Sequence, residues 1–201
     1  MRSFSRPTFS IRTRTLRPAF TMVEIVVVTM IAGMMITLAI PRVDTTKYRA
    51  DAIAQIVRTT LQTAQRQAIT RQHDMVVSFD TSGERIRLFW DSNNDGAVSN
   101  IERVAWRGLG VGVLFTDPNV NGVSGVAIQR PVSGSNVRTL NGFPTVTFHR
   151  DGSVSSDAEI YVSVTAHGPP WYRAVTLTQA TGRVDWYRLN AQAGKWQIAN
   201  H

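Results

Sequence analysis

The apolar positions change character twice along the chain. From Phe20 to Ile40 it reads FTMVEIVVVTMIAGMMITLAI, with a single charge at Glu24. At 1.5 Å per residue that is about 30 Å of helix, the thickness of a bilayer's hydrocarbon core. Past Pro41 the pattern turns amphipathic. Ala50, Ile53, Val57, Leu61, Ala64 and Ala68 recur at steps of three and four, while Arg58, Gln62, Gln65 and Arg66 fall on other faces. Pro41 removes a backbone donor and so bends the helix or ends it. The spacing predicts one kinked helix of roughly 50 residues from Phe20 to about Gln72.

From Met75 the period falls to 2, with turn signals about every ten residues. The predicted strands are Met75–Asp80, Arg85–Trp90, Arg103–Trp106, Val111–Thr116, Val123–Gln129, Thr145–Arg150, Glu159–Ala166, Tyr172–Thr178 and Arg183–Leu189. Ser82-Gly83, Asp151-Gly152 and Thr181-Gly182 read as hairpin turns. Asp117 to Phe143, rich in Gly, Asn and Ser, reads as a long mobile excursion. The expected fold class is α+β: a long N-terminal helix, transmembrane in its first half (20–40) and amphipathic in its second (41–73), packed on an antiparallel β-sandwich head (74–201).

Composition adds one exclusion. The chain has no cysteine, so disulfides, thiolate metal sites and cysteine nucleophiles are out. The net charge of +8 suggests a nucleic-acid binder until it is located. Residues 1–19 carry +5 from Arg2, Arg6, Arg12, Arg14 and Arg17; residues 20–73 carry +3; residues 74–201 are neutral. The excess belongs to the N-terminal tail and the helix. Arginines before an apolar span, with no acid among them, place the N-terminus in the cytoplasm and the head across the membrane. Pro41-Arg42 offers no small-residue cleavage site after the span, so the segment is not read as a cleaved secretory signal.

A carboxylate five residues into a bilayer span costs several kcal/mol unless it finds a partner. Glu24 sits in a distinctive context: a basic leader, Pro18-Ala19, Phe20-Thr21-Met22-Val23-Glu24, sixteen apolar or small residues, then Pro41. This arrangement resembles the type IV prepilin signature. The resemblance implies cleavage of leader 1–19 between Ala19 and Phe20 by a prepilin peptidase, N-methylation of Phe20, an assembly role for Glu24, and a helix kink at Pro41. Ala19 departs from the family's usual glycine, which implies slower processing at worst. Ala64-Gln-Arg-Gln-Ala68-Ile-Thr-Arg71 and the late Ala174-Val-Thr-Leu-Thr-Gln-Ala-Thr-Gly182-Arg183-Val-Asp resemble the H-type minor pseudopilins of type II secretion and the related FimT-like minor pilins, the GspH/FimT family. This implies a structural subunit of a periplasmic pseudopilus that drives protein secretion. Its expected partners are other pseudopilins or pilins, the prepilin peptidase, an assembly platform in the bacterial inner membrane, and membrane lipid. The alternative is a minor pilin of a type IV pilus, serving pilus assembly or DNA uptake.

Two motifs in the head offer chemistry. Asp91-Ser-Asn93-Asn-Asp95-Gly96-Ala-Val-Ser-Asn-Ile-Glu102 fits the twelve-residue calcium-loop template, with Asp91, Asn93, Asp95 and Glu102 as oxygen ligands. The plainer reading, a polar hairpin loop bonding its own backbone, is preferred, and no cofactor is required. Trp171, Tyr172, Arg173, Arg183, Trp186, Tyr187, Arg188, Lys195 and Trp196 interleave rings and cations as single-strand binders do. The competing reading puts Val184, Trp186 and Arg188 on one strand face. FimT-like DNA receptors carry Gly-Arg-x-Arg at this turn. Here Asp185 stands at the second arginine, so Arg183 and Arg188 serve DNA only under the alternative, and nucleic acid is not an expected partner. Gly108-Leu-Gly110-Val-Gly112 lacks the rest of a phosphate loop. The four histidines are scattered and no nucleophile motif is present, so no enzyme is read.

Overall fold

The computed structural model describes residues 20–39, 45–93, 95–166 and 168–199, with side chains omitted for 37–39. The chain divides into two compact units, one ending at Val43 and the other beginning at Asp44.

The first unit holds α1, Met22–Ala39. Its apolar side chains are exposed all round, from Val23 and Ile25 to Met35 and Ile36. Among the described residues no helix is long and apolar enough to cross a membrane. Side chains past Ile36 and all of 40–44, Pro41 included, lie outside the described residues, and with them the expected kink and the end of the expected span.

The second unit opens with α2, Thr46–Arg71. Ala50, Ile53, Val57, Leu61, Ala64 and Ala68 are all buried, as their spacing requires. The helix stops at Gln72, which adopts the left-handed conformation with φ 57°. Eleven strands follow: β1 (Asp74–Asp80), β2 (Arg85–Asp91), β3 (Val104–Gly108), β4 (Val113–Phe115), β5 (Val132–Ser133), β6 (Arg138–Leu140), β7 (Phe143–Phe148), β8 (Ala158–Val164), β9 (Trp171–Leu177), β10 (Val184–Asn190) and β11 (Lys195–Ile198). They form two antiparallel sheets, β3-β2-β1-β7-β6 and β11-β10-β9-β8-β4, with β5 also on β8. The α+β class and the antiparallel head are as expected.

Alternation sorts the faces. Met75, Val77 and Phe79 of β1 enter the core with Ile86 of β2 and Val146 and Phe148 of β7. From the other sheet come Ile160, Val162 and Val164 of β8, Val175 and Leu177 of β9, and Val184 and Trp186 of β10. The apolar stripe of α2 closes over residues of both sheets. Every member of this core lies between Ala50 and Ala199, so the second unit has a complete core of its own.

Two expectations are corrected. Val123–Gln129 is not a strand: it forms a loop with Gly125 at φ 82° and one isolated bridge, Asn121 to Ala127. The excursion containing it is tied down. The Trp196 indole donates to the Asn121 carbonyl (2.8 Å), the Ser124 N–H to Glu159 (2.8 Å) and the Val123 N–H to the Tyr161 hydroxyl (3.4 Å). The excursion covers the outer face of the β8 sheet, and Tyr161 is fully buried beneath it.

Candidate assembly and binding sites

The described chain begins at Phe20, which is exposed; Ala19 lies outside it. Thr21 caps α1, its hydroxyl accepting the Glu24 N–H at 3.2 Å. Thr21-x-x-Glu24 has the spacing of a capping box, and an acid in the first turn complements the helix dipole. The spacing of Thr21 from Glu24 is the sequence signal of this cap.

Near the C-terminal end of α2, the two stretches that carried the pseudopilin resemblance come together. The Gln65 amide donates to the Gly152 carbonyl (2.8 Å) and the Thr181 carbonyl (2.9 Å), joining the helix to both glycine turns. Gly182, at φ 62°, lies so close to Gln65 and the Gly152 carbonyl that a β-carbon would collide with both.

The cations proposed for DNA are committed elsewhere. Val184, Trp186 and Arg188 do share the helix-facing side of β10. Arg188 grips Asp51 of α2 with Nε at 3.1 Å and Nη2 at 3.0 Å. Asp51 also receives Nε of Arg173, 2.6 Å away, and Arg173 is 1% exposed. Burial lowers the Arg173 pKa, with Asp51 acting against that loss of charge. Arg173 also bonds the carbonyls of Tyr172 (2.6 Å) and Lys47 (3.4 Å), so one guanidinium ties β9 to the first turns of α2. Arg183 folds back onto Asp185 (2.8 Å). The residue that breaks the receptor pattern thus also neutralises its first arginine. Nothing in the sequence singled out Asp51 and Arg173 as partners, because 122 residues separate them.

The 91–102 loop bonds its own backbone. Asp91 accepts the N–H groups of Asp95 (3.0 Å) and Gly96 (2.6 Å), and Glu102 accepts those of Ser92 (3.0 Å) and Ser99 (2.9 Å). Asp95 accepts the Asn93 amide (2.7 Å) and the Ala97 N–H (2.7 Å). Burial, then the charges of Glu102 and Asp95, raise the Asp91 pKa, while its two backbone donors oppose the shift. Among the described residues no three acidic, histidine or cysteine side chains are grouped as a metal ion would need. Asp91, Asn93, Asp95 and Glu102 each accept at least one backbone N–H of the loop.

A family model described as type II transport protein GspH matches residues 54–182. No curated protein matches the chain by sequence. Among solved structures, the chain is similar to the minor pseudopilin EpsH from the type 2 secretion system of Vibrio cholerae. That likeness has 14% identity and a TM-score of 0.47 over 71% of this chain and 98% of that one. A second EpsH structure gives 16% identity and 0.41 over 76% and 94%. The type IV minor pilin FimU of Pseudomonas aeruginosa gives 12% identity and 0.41 over 70% and 89%.

Proposed function

The chain belongs to the GspH family of type II transport proteins, and from that premise we propose that it is a minor pseudopilin, a structural subunit of the short periplasmic filament that drives type II secretion. Its role is assembly rather than catalysis. The observation that carries this reading is α1, a helix with apolar side chains exposed all round and one carboxylate, Glu24, in its first turn. A helix apolar on every side needs lipid or other apolar helices around it. The apolar run from Phe20 to Ile40 spans the inner membrane before assembly, N-terminus inward, and lines the filament interior afterwards, with Pro41 bending the helix where it leaves the bilayer. Prepilin peptidase cuts between Ala19 and Phe20 and methylates Phe20. The new ammonium then finds Glu24 of a neighbouring subunit, and the need to pair that buried charge selects the register.

A cysteine crosslinker placed in α1 tests this in cells carrying the full secretion machinery. Glu24→Ala removes a charge from the span, so insertion is retained, while crosslinks to neighbouring pilin-like subunits drop at least several-fold. Crosslinking of the variant at wild-type level contradicts the reading. The type IV minor pilin alternative shares the helix; its DNA-receptor form finds Arg183 and Arg188 already paired with carboxylates.

A further inference from the structure

The end of the head at which α2 begins gathers five chain segments. The Arg49 guanidinium donates to the Val111 carbonyl, and the Thr165 N–H donates to the Gly112 carbonyl (3.2 Å). The Leu109 N–H reaches the Glu84 carbonyl (3.0 Å), Arg173 reaches the Lys47 carbonyl (3.4 Å), and the β10–β11 turn follows two residues after Arg188, the register partner of Arg173. This end therefore carries the start of α2, the 81–84 hairpin, the 108–112 loop, residues 165–166 and 168–170, and the 191–194 turn.

Its surface combines exposed apolar side chains with exposed cations. Val111 is 87% exposed at the tip of a Gly110-Val111-Gly112 loop, whose glycines hold φ 99° and 73° and whose preceding Leu109 anchors it in the core. Tyr48 is 71% exposed, and Pro169 and Pro170 are exposed beside half-buried Trp171. Around them stand Lys47, Arg49, Arg107 and Lys195, all exposed and none within ion-pair distance of a carboxylate among the described residues. The acids at this end are engaged: Asp51 with Arg173 and Arg188, Asp80 with Arg85 at 2.8 Å, and Glu84 with the Phe115 N–H at 3.0 Å.

We propose that this end of the head is an interfacial membrane surface that seats on anionic lipid, with the Val111 loop and Tyr48 entering the headgroup layer and Lys47, Arg49, Arg107 and Lys195 meeting lipid phosphates. The proposal rests on the membrane-spanning reading of residues 20–40. Four residues, 41–44, lie between that run and Thr45, so Ile40 and Thr45 are at most about 18 Å apart even with the chain fully extended. A span embedded in the bilayer therefore holds the start of α2 at its surface. An apolar tip, a tyrosine and cations without carboxylate partners are what a layer of anionic headgroups accepts: rings and aliphatic side chains partition into it, and lysine and arginine are drawn to the lipid phosphates. Entry into a filament must lift this surface off the lipid.

The natural absence of cysteine permits single-site labelling. The full chain, reconstituted in phosphatidylethanolamine–phosphatidylglycerol vesicles, carries a fluorophore at Val111→Cys or, at the opposite end, at Ala180→Cys. Lipids bearing a headgroup-level nitroxide should quench the Val111→Cys probe by at least half and leave the Ala180→Cys probe bright. In parallel, the head alone, residues 45–201, which holds its complete core, should sediment with phosphatidylglycerol vesicles and not with phosphatidylcholine. Lys47→Ala should weaken that binding about fivefold. Equal quenching at both positions, or a head that ignores lipid charge, overturns the proposal. Release of the full chain by alkaline carbonate overturns the spanning reading instead, and the vesicle assay on the head still decides this one.

Discussion

At the scale of single residues, the pair that fixes the head's geometry is Asp51 with Arg173. A guanidinium 1% exposed is tolerable only with an anion in contact, and Asp51 supplies it at 2.6 Å while also holding Arg188. Removing one partner of a buried pair leaves the other charge stranded. Asp51→Ala should therefore destabilise the isolated head by about 3 kcal/mol in urea denaturation, more than the loss of an exposed pair such as Arg183 with Asp185. If Asp51→Ala and Asp185→Ala cost the same, the buried pair is not what locks α2 to β9. None of this was legible beforehand. Asp51 reads as one more polar position on an amphipathic helix, and Arg173 as part of a basic–aromatic run. Glu24 stands out in the sequence because it is the single charge in an apolar run.

At the scale of elements, the join between α2 and the two glycine turns carries the next prediction. Gly182 combines a positive φ with contact against Gln65 and the Gly152 carbonyl, so Gly182→Ala suffers both strain and collision. The cost should exceed the 1 kcal/mol or so of an ordinary turn glycine. Gln65→Ala, which strips two carbonyls of a donor, should cost about 1–3 kcal/mol. If the two effects share one contact, the double variant in thermal unfolding will lose less than the sum; strict additivity would count against the shared join. The elements themselves were mostly readable. Helical spacing from Ala50 to Ala68 and alternation in β1, β2, β7, β8, β9 and β10 come from burying one face, which imprints a period on the sequence. The failures have the opposite cause. Val123–Gln129 shows apolar residues because it covers a sheet rather than joining one, and Gly125 breaks its extension. The short strands β5, β6 and β11 are too brief to show a period, and β11 is betrayed only by Trp196, whose indole holds the excursion.

At the scale of the whole molecule, charge separates the functions open to this fold. The unit from Asp44 to His201 carries only +3, and Arg173, Arg183 and Arg188 are already opposed by carboxylates. Affinity for DNA grows with the number of cations reaching phosphates and falls steeply with salt. The head should therefore give no shift of duplex DNA at submicromolar protein and about 150 mM salt. Asp185→Arg, which frees Arg183 and restores the receptor pattern, should increase whatever binding exists. A shift by the wild-type head that Arg183→Ala abolishes would favour the DNA-receptor alternative.

The central claim is that this chain is a processed filament subunit whose first helix is made for assembly. Its most direct test is the intact mass of protein extracted from membranes of a host that carries prepilin peptidase. The account predicts a chain beginning at Phe20, lighter by residues 1–19 and heavier by one methyl group. A chain that still begins at Met1 in such a host would contradict it.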